Sequence, residues 1–108
     1  MKRNLLLIAI FLLQSVVLTA QHQFCFKNGI FKVIQFTDIH WDPKSPGCKE
    51  SEYTLKTVLK TEKPELAILT GDIVTAGPAL EGWKSIIRIF KEAQMPFTVT
   101  MGNHDAEY

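Results

Sequence analysis

The chain of 108 residues has little of what specialised scaffolds depend on. Its two cysteines, Cys25 and Cys48, are too few for a disulfide framework, and their spacing fits neither a zinc ribbon nor a redox pair. Six glycines and five prolines without any repeat exclude collagen-like and low-complexity architectures. Neither sign of charge dominates: 12 Lys+Arg against 11 Asp+Glu leave +1, which gives no electrostatic basis for binding nucleic acid or an anionic membrane. No uninterrupted apolar run approaches the ~20 residues that a membrane-spanning helix needs. What is present is 46% hydrophobic, too apolar for a disordered tail and sufficient for one small domain.

The longest apolar stretch is N-terminal. Met1-Lys2-Arg3-Asn4 precedes the unbroken run Leu5–Leu13, Gln14-Ser15 interrupts it, and Val16-Val17-Leu18 resumes it before Thr19-Ala20-Gln21. A basic start, a short apolar core and a small residue before polar sequence fit a secretory signal peptide over residues 1–20, with cleavage after Ala20. The expectation is a secreted or periplasmic protein without a stable membrane span; an uncleaved N-terminal anchor is the alternative. An oxidising compartment permits a Cys25–Cys48 disulfide, but two unrelated thiols fit the sequence equally.

Beyond Gln21, Phe24–Lys27 and Ile30–Val33 flank Asn28-Gly29, a dipeptide suited to a tight hairpin because both residues tolerate positive φ. The second segment continues as a strand to Thr37. Leu55, Val58 and Leu59 recur at helical spacing between Glu50 and about Lys63, and Pro64 stops that helix. Leu66–Thr70 is a short apolar run suited to a buried strand. A helix opening at Pro78 carries a stripe of Leu80, Trp83, Ile87 and Phe90, with Trp83 in the core, and Phe97–Thr100 is the next strand. The order is a hairpin followed by β-α-β-α-β, an α/β class with parallel strands and helices packed on the sheet.

Three polar clusters follow the three strands: Asp38-Ile39-His40, Gly71-Asp72 and Gly102-Asn103-His104-Asp105. The C-terminal edge of an α/β sheet is where such folds build sites. Residues two apart in an extended segment project to one side, so Asp38 and His40 can converge. Gly71 and Gly102 allow the chain to turn there. Neighbouring strands lie ~5 Å apart, close enough for the three ends to share one coordination sphere. Carboxylate, imidazole and carboxamide oxygen without thiolate suit Mn, Fe, Zn or Mg. Taken singly, Asp38 and Asp72 read equally as loop or capping carboxylates, His40 as a surface imidazole and Asn103 as a turn residue. Trp41 reads as a pocket-mouth aromatic or as packing.

Together, in this order and at these strand ends, the three clusters resemble the first three motifs of the calcineurin-like metallophosphoesterases, and Phe31–Trp41 is similar to the exported purple-acid-phosphatase-like branch. The resemblance implies the N-terminal part of a four-layer α/β/β/α sandwich and a phosphoesterase that uses two divalent metal ions on small-molecule phosphate esters. It implies that Asp38 and His40 hold the first metal, that Asp72 bridges both, and that Asn103 binds the second. It implies that His104 faces the scissile phosphate and that Asp105 orients His104.

Two features depart from the family pattern. Purple acid phosphatases proper carry a tyrosine three residues after the bridging aspartate; here the position is Thr75, whose hydroxyl supplies no phenolate. The family also completes its site with later histidines, and none follows His104. Residues 21–108 are therefore expected to be the N-terminal portion of a truncated domain, inactive as this chain alone. The alternative is a non-catalytic remnant that binds one metal weakly or none; a third reading makes the motifs coincidental in a structural α/β domain.

Overall fold

The computed structural model describes residues 24–105 and 107. The expected signal peptide and its cleavage point after Ala20 lie outside the described residues. Three strands, β1 (Val33–Phe36), β2 (Leu66–Thr70) and β3 (Phe97–Thr100), form a parallel sheet in the order β1-β2-β3. Helix α1 (Cys48–Glu62) connects the first pair and α2 (Ala79–Glu92) the second. This is a small α/β fold, consistent with part of a calcineurin-like domain. Among the described residues, no helix is long and apolar enough to cross a membrane.

Period-two alternation gives the sheet two unlike faces. Ile34 and Phe36, Ala67 and Leu69, and Phe97 and Val99 pair in register on one face, which meets the helices. Val33, Gln35, Ile68 and Thr98 lie on the opposite face, where Val33 stays 45% exposed. Phe90 of α2 is the centre of the core. It has no exposed surface, and its ring lies 6.0 Å from Phe36 and 5.0 Å from Phe97, so one side chain ties α2 to β1 and β3. Aromatic rings at such spacing contribute beyond their buried area.

Helix α1 begins two residues before the expected start, with Gly47 supplying no side-chain cap, and ends where Lys63 turns left-handed ahead of Pro64. Its buried residues are Leu55 and Leu59. Helix α2 corrects the expected stripe. Gly82, Ile86, Ile89 and Phe90 are buried and Trp83 is partly buried against the core, while Leu80 is 66% and Ile87 38% exposed. The doublets Ile86-Ile87 and Ile89-Phe90 offer an apolar residue every turn in either rotation about the axis. Gly82 selects one: a Cβ there would lie 2.6 Å from Val74 Cγ1 and 3.4 Å from Trp41 Cδ1, so the helix seats closely only with this face inward.

The Asn28-Gly29 turn forms with φ of 51° and 76°, and Lys27 and Ile30 exchange both backbone hydrogen bonds. Among the described residues that single bridge is all the hairpin pairing there is, and regular strand begins at Val33 rather than Phe31. An isolated two-stranded ribbon is marginal without a surface to pack on, and Phe24, Phe26 and Ile30 are largely exposed. Cys25 and Cys48 are both free thiols. Cys48 Sγ donates to the Asp42 carbonyl, and burial pushes its pKa up.

Candidate metal centre

The segments after β1 and β2 run side by side. Asp38 N–H donates to Gly71 O (3.1 Å), His40 N–H to Asp72 O (3.1 Å), Trp41 N–H to Ile73 O (2.8 Å) and Thr75 N–H to Trp41 O (3.3 Å). The backbone pairing of the sheet therefore continues past its regular end and fixes the two loops against each other. Trp41, 4% exposed, belongs to the core beneath this edge.

Within this frame Asp38, His40 and Asp72 come together: one ligand atom from each lies within 4.8 Å of the others. His40 Nε2 is 3.7 Å from Asp38 Oδ1, and His40 Nδ1 is 3.3 Å from Thr75 Oγ1. The convergence does not come from extended backbone. Asp38, His40 and Asp72 have φ of 51°, 51° and 49°, a left-handed conformation that is uncommon and costly for residues with a Cβ. Strained backbone of this kind persists where surrounding structure enforces it, and it clusters at functional sites. Two hard carboxylates and one imidazole, mutually close and reachable from solvent, fit a divalent cation of the Mn, Fe, Zn or Mg type.

The segment after β3 closes over the other two. Gly71, at φ +88°, turns the chain, and a Cβ on it would stand 3.0 Å from Gly102 Cα. Gly102 in turn packs on Asp72, whose side chain and backbone N occupy the space a Cβ would need. This contact brings the third cluster to the same edge. His104 N–H donates to Asp72 Oδ1 (3.0 Å), and Asn103 lies exposed between Gly102 and His104.

The structure gives Asp105 different partners from the expected one. Its carboxylate, 7% exposed, accepts from Ile73 N–H (2.8 Å) and Val74 N–H (2.9 Å) through Oδ1 and from Gly102 N–H (2.7 Å) through Oδ2. Burial pushes its pKa up, but the backbone donors at Gly102, Val74 and Ile73 together win and hold it below the usual carboxylate value. Asp105 thus ties the third loop to the second. The ring of His104 is held instead by Glu107, with Nδ1 to Oε2 at 2.9 Å, and this hydrogen bond, followed by the Glu107 charge, raises the imidazole pKa. Asp72 and Asp105 add smaller contributions in the same direction.

Two contacts lie outside the three sequence motifs. Thr75, which stands where purple acid phosphatases proper carry a tyrosine, partners His40. Glu107 partners His104, and its sequence signal is a His-x-x-Glu spacing at a turn, where residues three apart meet.

A parallel α/β sheet with carboxylates and an imidazole converging at its C-terminal edge defines a candidate metal-dependent hydrolase. Comparison with known proteins makes the class specific: the profile of the calcineurin-like phosphoesterases matches residues 31–108. The chain belongs to that family. It is 32% identical over 84 residues, or 69% of its length, to the uncharacterized metallophosphoesterase YkuE of Bacillus subtilis, of which the match covers 26%. Over 97 residues (74% of the chain) it is 29% identical to the probable inactive purple acid phosphatase 29 of Arabidopsis thaliana, covering 25% of that protein. It is 27% identical over 97 residues to phosphatase DCR2 of Saccharomyces cerevisiae, of which 17% is covered. The chain thus spans about a quarter or less of the length of the curated relatives it matches. No solved structure matches it.

Proposed function

We propose that the chain carries the N-terminal half-site of an exported phosphoesterase that hydrolyses phosphomonoesters or phosphodiesters of small molecules at two divalent metal ions. The observation that carries this reading is the convergence of Asp38, His40 and Asp72 within 4.8 Å at adjoining strand ends. Side chains pointing apart would have favoured a structural domain with coincidental motifs.

Asp38 and His40 would hold one ion, Asp72 would bridge and Asn103 would reach the second. Two dications at bridging distance repel, and the negative charge of Asp72 offsets that repulsion. Such ions, when bound, supply Lewis-acid polarisation of a phosphoryl group and lower the pKa of water. The chain's own residues then have defined tasks. Thr75, 3.3 Å from His40 Nδ1, would accept an Nδ1–H and so leave Nε2 free to hold a metal ion. His104, held near Asp72 by its own backbone N–H, offers an exposed imidazole that can stabilise charge on a phosphate or protonate a leaving oxygen. Asp105 keeps the loops after β2 and β3 in register, which sets the distance between His104 and the ligands. Export, with residues 1–20 as signal peptide, belongs to the same proposal and rests on the N-terminal pattern.

The test is hydrolysis of an aryl phosphate and an aryl phosphodiester by the intact protein with Mn²⁺ or Zn²⁺, beside Asp72→Asn. Turnover that disappears in the variant supports the enzyme. The Arabidopsis relative's name includes "probable inactive", which keeps a metal-binding but non-hydrolysing protein as the alternative. Metal uptake without turnover of either ester would decide for it.

A further inference from the structure

We propose that Glu107 is the positioning residue of the His104 imidazole: its carboxylate accepts the Nδ1–H and leaves Nε2 as the nitrogen offered to the phosphate ester. The inference rests on the phosphoesterase reading for what Nε2 does, and on geometry alone for what Glu107 does. Glu107 Oε2 lies 2.9 Å from His104 Nδ1, and the backbone closes the same four-residue turn, with Glu107 N–H donating to His104 O at 3.2 Å. The acid is therefore delivered by the local fold rather than by a chance surface encounter.

Asp105, the nearer acid in sequence, has both carboxylate oxygens committed to backbone N–H groups. The opposite end of the turn is fixed as well, because His104 N–H is bonded to Asp72 Oδ1 at 3.0 Å. The residue is therefore held at two points, its backbone N–H on a metal-ligand candidate and its ring on Glu107. A neutral imidazole carries one proton, and which nitrogen holds it is set by the bond the other nitrogen makes. A carboxylate accepts only, so it selects the Nδ1–H tautomer.

The side chains of His104 and Glu107 are 45% and 48% exposed. A pair this exposed adds little to stability. The arrangement makes sense as orientation of a reachable ring, and its removal should register in turnover far more than in folding.

The experiment uses the intact, metal-loaded protein and its Glu107→Ala and Glu107→Gln variants. Glu107→Ala should lower kcat about 10- to 100-fold, part of the ~10²–10⁴ that a positioned acid or base supplies, with KM, metal content and melting temperature nearly unchanged. Glu107→Gln, which keeps an acceptor oxygen, should recover most of that loss. Nitrogen-15 spectra of the His104 ring should show Nδ1 protonated in the wild type and a mixed or reversed tautomer in Glu107→Ala. An unchanged kcat in Glu107→Ala while His104→Asn collapses would overturn the proposal, as would the same tautomer in wild type and Glu107→Ala. If wild type hydrolyses neither ester, the phosphoesterase reading fails, and the tautomer measurement still decides whether Glu107 sets the ring.

Discussion

Asp72 meets three neighbours at once: Oδ1 accepts the His104 N–H, and a carboxylate oxygen lies close to Asp38 and His40. Asp72→Asn retains an oxygen for the His104 N–H but loses the charge, so the fold should persist while hydrolysis falls to background; ester turnover and circular dichroism on the same sample check this. Asp105→Asn should behave in the opposite way. An amide oxygen can still receive Ile73 and Val74, but the amide nitrogen then meets Gly102 N–H, donor against donor. Hydrogen bonds to a charged acceptor contribute ~1.5–3 kcal/mol, and urea denaturation should show a loss of about that size in Asp105→Asn. The strand-end clusters were legible in the sequence because Asp38-x-His40, Gly-Asp and Gly-Asn-His-Asp each follow a short apolar run. The left-handed backbone that aims Asp38, His40 and Asp72 was not, since nothing in the residue types at these positions requires it.

At the scale of elements, the two helices are joined to the sheet by buried apolar contacts and to each other by charge. Lys56 Nζ pairs with Glu52 (2.7 Å) and reaches Glu92 of α2 (3.1 Å), and Arg88 of α2 pairs with Glu52 (3.3 Å). The Lys56 ammonium, hydrogen-bonded to Glu52, holds that carboxyl below its usual value; burial opposes this and the Arg88 charge reinforces it. A depressed folded pKa contributes stability that is present above the unfolded value of ~4.3 and is lost as pH falls through the folded value. The melting temperature should therefore drop more steeply below about pH 4 in the wild type than in Glu52→Gln. Phe90 carries the apolar side of the same junction. Phe90→Ala should cost about 3–5 kcal/mol, because the cavity opens where β1, β3 and α2 meet. The existence and order of β1, α1, β2, α2 and β3 were legible from periodicity and proline placement. The buried face of α2 was not, because adjacent isoleucines and Phe90 left two rotations equally apolar until Gly82 met Val74. The hairpin's turn was legible from Asn28-Gly29, but pairing beyond one bridge depends on packing that local sequence does not specify.

At the scale of the whole molecule, one sheet face is packed and the other carries Val33 and Ile68 with no helix of the described residues against it, as the inner face of a layered sandwich would. The packed face fixes the strands, the strands fix three loop origins, and the loops bring Asp38, His40 and Asp72 to one point. The central claim is that this point is a divalent metal site. It is tested most directly by calorimetric titration of Mn²⁺ into the metal-free intact protein and into Asp38→Asn, His40→Asn and Asp72→Asn variants that retain the wild-type circular dichroism spectrum. The account predicts binding by the wild type and a loss in each variant at least as large as the ~10–100-fold that follows removal of a ligand's supporting partner. Unchanged affinity and stoichiometry in all three variants would contradict it.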